Sequence, residues 1–288
     1  ARGHRLSDPL GSRWSAAVGL LRCPVCSGTL QSADASLRCA DGHSYDIARQ
    51  GYVSLLTGRG TNHRSDTADM VAARHRVFAA GLYDPIVAAV AAECAGARVV
   101  VDAGGGPGQY LAAALDAADQ AVGISLDLSK FCARSAAKRH PRGFSVIADL
   151  WSGLPVRDGA ADVVLSIFAP RNAAETARVL KPGGRWIIVT PEPGHLAEIV
   201  EPMHMLLVGE GKGQRLAAEV ADDFDDVAVR PVRSSVALDE PMLVDIAAMG
   251  PAGFHRTREQ LAESAATVVA DGPVRATLDV TMTTARRR

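Results

Sequence analysis

Apolar residues follow different rhythms along the 288-residue chain, and the change of rhythm divides it. Between residues 98 and 190, short apolar runs alternate with stretches of helical spacing. Val99, Val100 and Val101 form an unbroken apolar run, as in a strand buried on both faces. The same reading puts strands at 98–102, 121–126, 144–147, 162–168 and 185–190, with helices at 108–117, 129–139 and 172–180. Strands and helices alternating in this way build a doubly wound, mostly parallel sheet. Upstream, Met70, Val71, Arg74, Val77 and Phe78 recur at helical spacing, and Ala79-Ala-Gly81 breaks the run. Pro85 suits the first turn of a second helix, which runs to Cys94. Downstream, the pattern predicts a helix from His195 to about Val208 and helices at 239–249 and 257–270. Residues 227–236 and 274–284 alternate and predict a closing antiparallel pair, bringing the sheet to seven strands.

Other stretches show no such rhythm. Residues 1–21 read as a loose arm, residues 57–66 as a polar linker and Arg286 to Arg288 as a disordered basic tail. The expected division is therefore an arm at 1–21, a small domain at 22–60, a helical linker at 61–97 and the α/β domain at 98–288. No apolar run approaches the ~20 residues that would span a membrane. Ala16 to Leu21 is too short for the core of a secretory leader, so the expected location is the cytoplasm.

Net charge is −1, which argues against nucleic-acid binding by the chain as a whole, but the charge is unevenly spread. Residues 1–80 hold ten Arg against six Asp or Glu; the rest holds 21 basic and 26 acidic residues. The N-terminal part thus carries a hint of anion binding, which a solvated surface explains about as well.

Three of the five cysteines lie within residues 23–39. Cys23-Pro-Val-Cys26, Cys39 and His43 follow the spacing C-x2-C-x12-C-x3-H. Two thiolates on one tight knuckle, with a Cys and a His on another, supply four ligands for tetrahedral zinc. Four ligands close the site, which makes the expected metal structural. A segment this short cannot build a sufficient core, so metal binding would supply much of its folding energy. Two readings rival it: a disulfide, which leaves one thiol over and needs an oxidising compartment, and chance clustering of small buried residues.

After the Val99–Val101 run come Asp102, then Gly104, Gly106 and Gly108 at alternate positions, then a helix start at Tyr110. A dinucleotide site wants G-x-G-x-x-G. The D-x-G-x-G-x-G found here is the first motif of S-adenosylmethionine (SAM)-dependent methyltransferases, whose ligand has no phosphate but carries an amino group that a carboxylate near the turn, such as Asp102, can hold. In open α/β sheets ligands lie at the carboxyl ends of the strands. Asp127 ends the second strand, placed for both ribose hydroxyls, and Asp149 ends the third, placed for an adenine amino group. Each Asp could equally cap a helix. The fourth strand ends in Phe168-Ala-Pro-Arg-Asn172, and the fifth leads to Pro191-Glu-Pro-Gly-His195.

Taken together, the chain from about residue 22 onward resembles the bacterial 23S rRNA (guanine-N1)-methyltransferases, and more closely the branch that protects macrolide producers against tylosin- and mycinamicin-type antibiotics. The resemblance rests on Leu21-Arg-Cys-Pro-Val-Cys26, Cys39-Ala-Asp-Gly-His43, Ala48-Arg-Gln-Gly-Tyr-Val53 and Asp69-Met-Val-Ala-Ala-Arg74. It continues through Gly81-Leu-Tyr83, the glycine turn, Phe168 to Asn172 and Pro193-Gly-His-Leu196. It implies a zinc domain that grips an rRNA hairpin, a Rossmann-like SAM domain, and cofactor contacts at Tyr83, Gly106, Pro107 and His195. The resistance branch points to guanine 748, and a homodimer would suit a substrate larger than one protein. The chain departs from some members at Leu82, where they carry His, and in its longer arm.

The implied chemistry is displacement at the sulfonium methyl by guanine N1, which must lose its proton. Arg171 and Asn172 are candidate donors to the base edge; Glu192 and His195 are candidate acceptors. Asn172 equally fits a helix N-cap. Few aromatics are available for stacking: Tyr52, Trp151 and Phe168, the last read as core. Two other readings stay open. A small-molecule methyltransferase, acting for instance on a macrolide sugar, needs no basic zinc domain. A non-enzymatic zinc RNA-binding protein has no use for an intact Asp102, Gly104, Gly106, Gly108 and Asp127.

Overall fold

The computed structural model describes residues 13–58, 61–207, 216, 220 and 222–288. The described residues begin with a 3-10 turn at Val18–Leu20, then β1 (Gln31–Ala33), β2 (Ser36–Arg38), β3 (Ser44–Asp46) and β4 (Tyr52–Ser54). Two helices follow, α1 (Ala68–Ala79) and α2 (Asp84–Glu93). The alternating unit runs β5 (Val99–Ala103), α3 (Gln109–Ala117), β6 (Val122–Asp127), α4 (Lys130–Ala136), β7 (Gly143–Ile147), β8 (Ala161–Ile167), α5 (Ala173–Val179) and β9 (Leu180–Pro191). The chain closes with α6 (Ala197–Val200), β10 (Phe224–Leu238), α7 (Glu240–Ala248), α8 (Arg258–Val268) and β11 (Val274–Arg287).

The helix starts follow side-chain chemistry. Thr67, Ser129, Asp239 and Thr257 each accept a backbone N–H in the first turn of α1, α4, α7 and α8, satisfying a donor the helix cannot. Pro85 sits in the first turn of α2, where its missing N–H costs nothing.

The strands form two sheets. β1, β2 and β3 make a small antiparallel sheet, and the other eight make one large sheet in the order β10-β11-β9-β8-β5-β6-β7-β4. From β9 to β4 every pairing in it is parallel; β11 runs antiparallel to both β9 and β10. The expected doubly wound sheet with a closing pair is thus present. It has eight strands rather than seven, because β4 comes from the N-terminal segment and pairs Tyr52–Ser54 with Ser145–Ile147.

Both faces of the large sheet are covered. On one side Val100, Leu165 and Ile187 pack with Leu115, Ile86, Leu243 and Leu261. On the other, Val101, Ile124, Val164 and Trp186 share a core with Trp14, Leu21, Leu30 and Leu37 of the N-terminal region. At roughly 25 cal/mol per Å² of apolar area removed from water, this double burial is what holds β5 to β8.

The N-terminal arm is the first correction. Residues 1–12 lie outside those described, but residues 13–21 are anchored. Trp14 is fully buried with its ring 5.2 Å from that of Phe144. Arg13 donates to the carbonyls of Ala137 and Gly143 at 3.0 and 2.9 Å. The lack of periodicity concealed one large apolar side chain seated on β7.

The helical linker is the second. Asp245 on α7 is buried and receives Arg76 of α1 at 2.7 and 2.8 Å and Arg258 of α8 at 2.8 Å. Arg74 donates to the Met249 carbonyl at 2.8 Å. These bonds fix α1 to the C-terminal helices.

The basic tail is the third. Arg286 and Arg287 belong to β11, and Arg287 donates to the Leu180 carbonyl. The helix expected to run to Val208 is only one turn, α6; Val208 itself lies outside the described residues.

Candidate functional site

The zinc cluster is assembled by two turns of the small sheet. Cys23 and Cys26 lie on the knuckle before β1; Cys39 and His43 flank the turn between β2 and β3. One ligand atom from each lies within 4.8 Å of all the others. Cys26 Sγ is 3.6 Å from Cys39 Sγ, which is 3.2 Å from His43 Nδ1. Edges of this length fit a tetrahedron with metal–sulfur bonds of about 2.3 Å. Burial opposes ionisation of Cys23, but the Tyr45 hydroxyl at 3.1 Å and nearby backbone N–H groups outweigh it and bring the thiol down to about 7. The donor set and its spacing suit zinc held by Cys23, Cys26, Cys39 and His43.

The second site lies where the strands of the large sheet end. Gly104 after β5, Asp127 ending β6, Asp149 after β7, Phe168 after β8 and Pro191 ending β9 all line one cavity of about 680 Å³. That is ample for a cofactor of nucleoside size. Gly104 takes φ +86°, and a Cβ there would come within 2.5 Å of Ala169 Cβ. A Cβ at Gly105 would strike Ser125 Oγ at 2.4 Å and Asp102 Oδ2 at 2.9 Å. The turn is glycine-rich because backbone must pass this close to its neighbours.

The acidic residues divide by position. Asp127 lines the cavity and orders the turn, accepting the N–H of Gly106 at 2.9 Å and of Ser129 at 2.8 Å. Burial raises its pKa, against those two bonds. Asp149 also lines the cavity, while its oxygens accept the Trp151 N–H and the Ser152 hydroxyl, so it is both wall and cap. Asp102 is fully buried behind Gly105, outside the lining; burial, then the charge of Asp127, push it up to about 7. Its Oδ2 has no hydrogen-bond partner.

Tyr83, Gly104, Gly106, Pro107, Asp127, Asp149 and His195 are brought together as walls of the cavity. Gly108 is not a wall; it turns the chain into α3 with φ +89°. His195 Nδ1 accepts the Asp279 N–H at 3.2 Å, which leaves the imidazole proton on Nε2. Burial lowers its pKa to about 4, with Asp279 opposing. With its pKa lowered, His195 at neutral pH is a neutral imidazole that can donate through Nε2.

The three other catalytic candidates are not in the lining. Asn172 Oδ1 accepts the Glu175 N–H at 3.1 Å, so it caps α5. Glu192 accepts the Thr281 hydroxyl at 2.5 Å. Arg171 sits between Phe168 and that cap, outside the cavity wall. The polar stretch after β8 therefore starts a helix, whereas the residue before it does the facing.

Asp66 and Arg74 were not foreseen as walls. Asp66 and Arg74 form a pair at 2.5 Å, and Ser129 Oγ donates to the Asp66 carbonyl at 2.6 Å. An Arg within the apolar stripe of α1 was the available signal: buried, it requires a partner. Phe168, expected in the core, is 42% exposed and lines the cavity. Trp151 is 56% exposed at the same cavity and stacks on His63, with ring centres 5.4 Å apart.

Comparison with known proteins agrees with both sites. Residues 21–59 match a zinc-ribbon family described as RlmA, N-terminal, and residues 101–188 match a methyltransferase domain family. A Streptomyces fradiae 23S rRNA (guanine(748)-N(1))-methyltransferase is 44% identical over 275 residues, covering 93% of this chain and 97% of its own. The chain belongs to the 23S rRNA (guanine-N1)-methyltransferase family. A Micromonospora griseorubida protein, provisionally named a 23S rRNA (guanine-N1)-methyltransferase, is 43% identical over 82% of this chain and 87% of its own. A Bacillus subtilis protein with the same provisional name is 34% identical over 62% of this chain and 67% of its own. This family member is a SAM-dependent methyltransferase with a zinc ribbon, as its two sites require. No described helix is long and apolar enough to cross a membrane.

Proposed function

We propose that the chain transfers the methyl group of SAM to N1 of guanine 748 in a 23S rRNA hairpin, and thereby gives resistance to macrolides. The observation that carries this is the 44% identity across 93% of the chain to an enzyme named for that nucleotide. The cavity supports it, joining a cofactor wall of Gly104, Gly106 and Asp127 to an exposed ring at Trp151. N1 lies on the pairing edge, so the guanine must be unpaired or flipped to reach the methyl group. Exposed rings are what such a base stacks on.

SAM supplies an activated methyl group when bound. The chain positions it: Asp127 for the ribose hydroxyls, Asp149 for the adenine amine, and Tyr83, Gly106, Pro107 and His195 along the remainder. In-line displacement at carbon draws much of its rate from such placement. His195, with its proton on Nε2, is a donor suited to a guanine oxygen that gains negative charge as N1 gives its proton to solvent water. An rRNA substrate places the reaction in the cytoplasm, and a homodimer would widen the surface for a hairpin.

Primer extension on naked 23S rRNA treated with enzyme and SAM tests the reading. N1-methylguanine cannot pair, so one new stop beside nucleotide 748 is expected. Methyl transfer to a macrolide with no stop anywhere in the rRNA would overturn it.

A further inference from the structure

Three rings meet at the inner wall of the cavity. Tyr83 and Phe168 centroids lie 6.0 Å apart, Phe168 and His195 5.8 Å, and Tyr83 and His195 6.4 Å. Their planes are inclined at 76°, 34° and 43°, so the rings do not stack. A cation near the middle of such a triangle lies within roughly 6 Å of all three ring centres, the range in which a ring face attracts positive charge. The three residues come from distant parts of the chain, α2's N-terminus, the end of β8 and the loop after β9.

Phe168 shows signs of being placed for contact. Its N–H donates to the Val189 carbonyl at 3.1 Å, continuing β8, and its backbone then turns left-handed at φ +53°. That conformation is unfavourable for a bulky residue, and Phe168 is left 42% exposed at the cavity. A phenylalanine serving only the core would take neither.

We propose that Tyr83, Phe168 and His195 form an aromatic cage that recognises the positive charge of the SAM sulfonium and releases the neutral thioether left after transfer. The proposal rests on the SAM-dependent activity of the family. It adds Phe168 as the third wall and assigns the cage the discrimination between substrate and product forms of the cofactor.

The protonation states agree. Burial pushes Tyr83 up to about 12, with Arg74 opposing, so the phenol is neutral. His195 is neutral as well, and an imidazolium would repel the sulfonium. The nearby Arg74 is paired with Asp66, which offsets its charge. The reaction itself removes the charge, because the methyl leaves and the sulfur keeps the electron pair of the broken bond. The cage then holds a weaker ligand, which favours exchange of spent cofactor for fresh.

Calorimetry on the full chain without RNA tests this, titrating SAM and S-adenosylhomocysteine separately. Phe168→Ala and Phe168→Leu are expected to weaken SAM about three- to tenfold, a typical cation–π contribution, and to move S-adenosylhomocysteine less than about twofold. Phe168→Tyr is expected to retain the wild-type ratio. Retained S-adenosylhomocysteine binding also shows that the variants are folded. Equal loss for both ligands would reduce Phe168 to packing and overturn the proposal. Unchanged affinity for both, with weaker methylation of RNA, would overturn it in favour of a platform for the base. Neither outcome touches the primer-extension result.

Discussion

The zinc ribbon and the large sheet solve the same problem with different means. In the ribbon, β1, β2 and β3 have three residues each, and much of their surface is exposed. In the sheet, β7 is buried at all five positions and β8 at six of seven. The ribbon's shape is thus set by four ligands, and the sheet's by apolar area. The contrast is incomplete at the seam. Leu21, Cys23, Leu30 and Leu37 share a core with Ile124 and Phe144, and β4 carries the N-terminal chain into the large sheet.

The largest expected effect comes from breaking the ribbon's device alone. Structural zinc in small domains carries on the order of 10 kcal/mol of folding free energy. Chelation, or Cys26→Ser, is expected to abolish amide-exchange protection between Cys23 and Asp46. Protection in β5 and β6 should persist, with SAM affinity within about twofold of wild type. Exchange mass spectrometry reads both at once. Loss of protection in β5 and β6 as well would mean that the shared core makes the two regions one cooperative unit, and the comparison would fail.

The sheet carries its own internal cost, which sharpens the contrast. Asp102 is 1% exposed and moved from an ordinary 3.8 to about 7 by burial and by Asp127. Between those values the folded protein holds a proton that the unfolded chain has released. Stability therefore falls as pH rises from about 4 towards 7, and the lost contribution is fully absent above 7. A displacement of that size corresponds to a cost on the order of 4 kcal/mol for the ionised form. Asp102→Asn removes that charge while keeping the shape. It is expected to raise Tm most at pH 8 and by less than half as much at pH 5, as scanning calorimetry of the cofactor-free enzyme would show. A fall in Tm at pH 8 would mean that the carboxylate is compensated in the folded state.

How much of this was legible follows the same division. The ribbon was readable because ligand spacing is local, and His43 and Cys39 need only one turn to meet. The sheet and its glycine turn were readable because Val99–Val101 and the D-x-G-x-G-x-G run are contiguous. Asp127 and Asp149 both face the cavity since strand ends gather at one edge whatever the loops do. What stayed hidden was built across distance. Arg74 meets Asp66 and Met249, Trp14 meets Phe144, and Phe168 meets Tyr83 and His195. No period or spacing encodes such meetings. Phe168 was further disguised because a large apolar residue after a buried strand ordinarily belongs to the core.

The smallest effect separates chemistry from architecture in the stretch after β8. Asn172 carries the residue type of a base-edge donor, but its Oδ1 accepts the Glu175 N–H and caps α5. Glu175 in turn is bonded to Arg178 at 2.7 Å and accepts the Leu154 N–H at 2.7 Å, so the cap begins a short chain of contacts ending beside the ribbon seam. Asn172→Ala is expected to cost about 1 kcal/mol of stability, the usual value of a lost cap. SAM affinity and the rate of methyl transfer at saturating RNA should stay within about twofold, since the side chain does not line the cavity. Asn172→Asp retains an acceptor for the same N–H, so it should recover the stability. A drop in rate of tenfold or more, with SAM affinity and Tm restored in the Asp variant, would return Asn172 to the substrate side of the cavity.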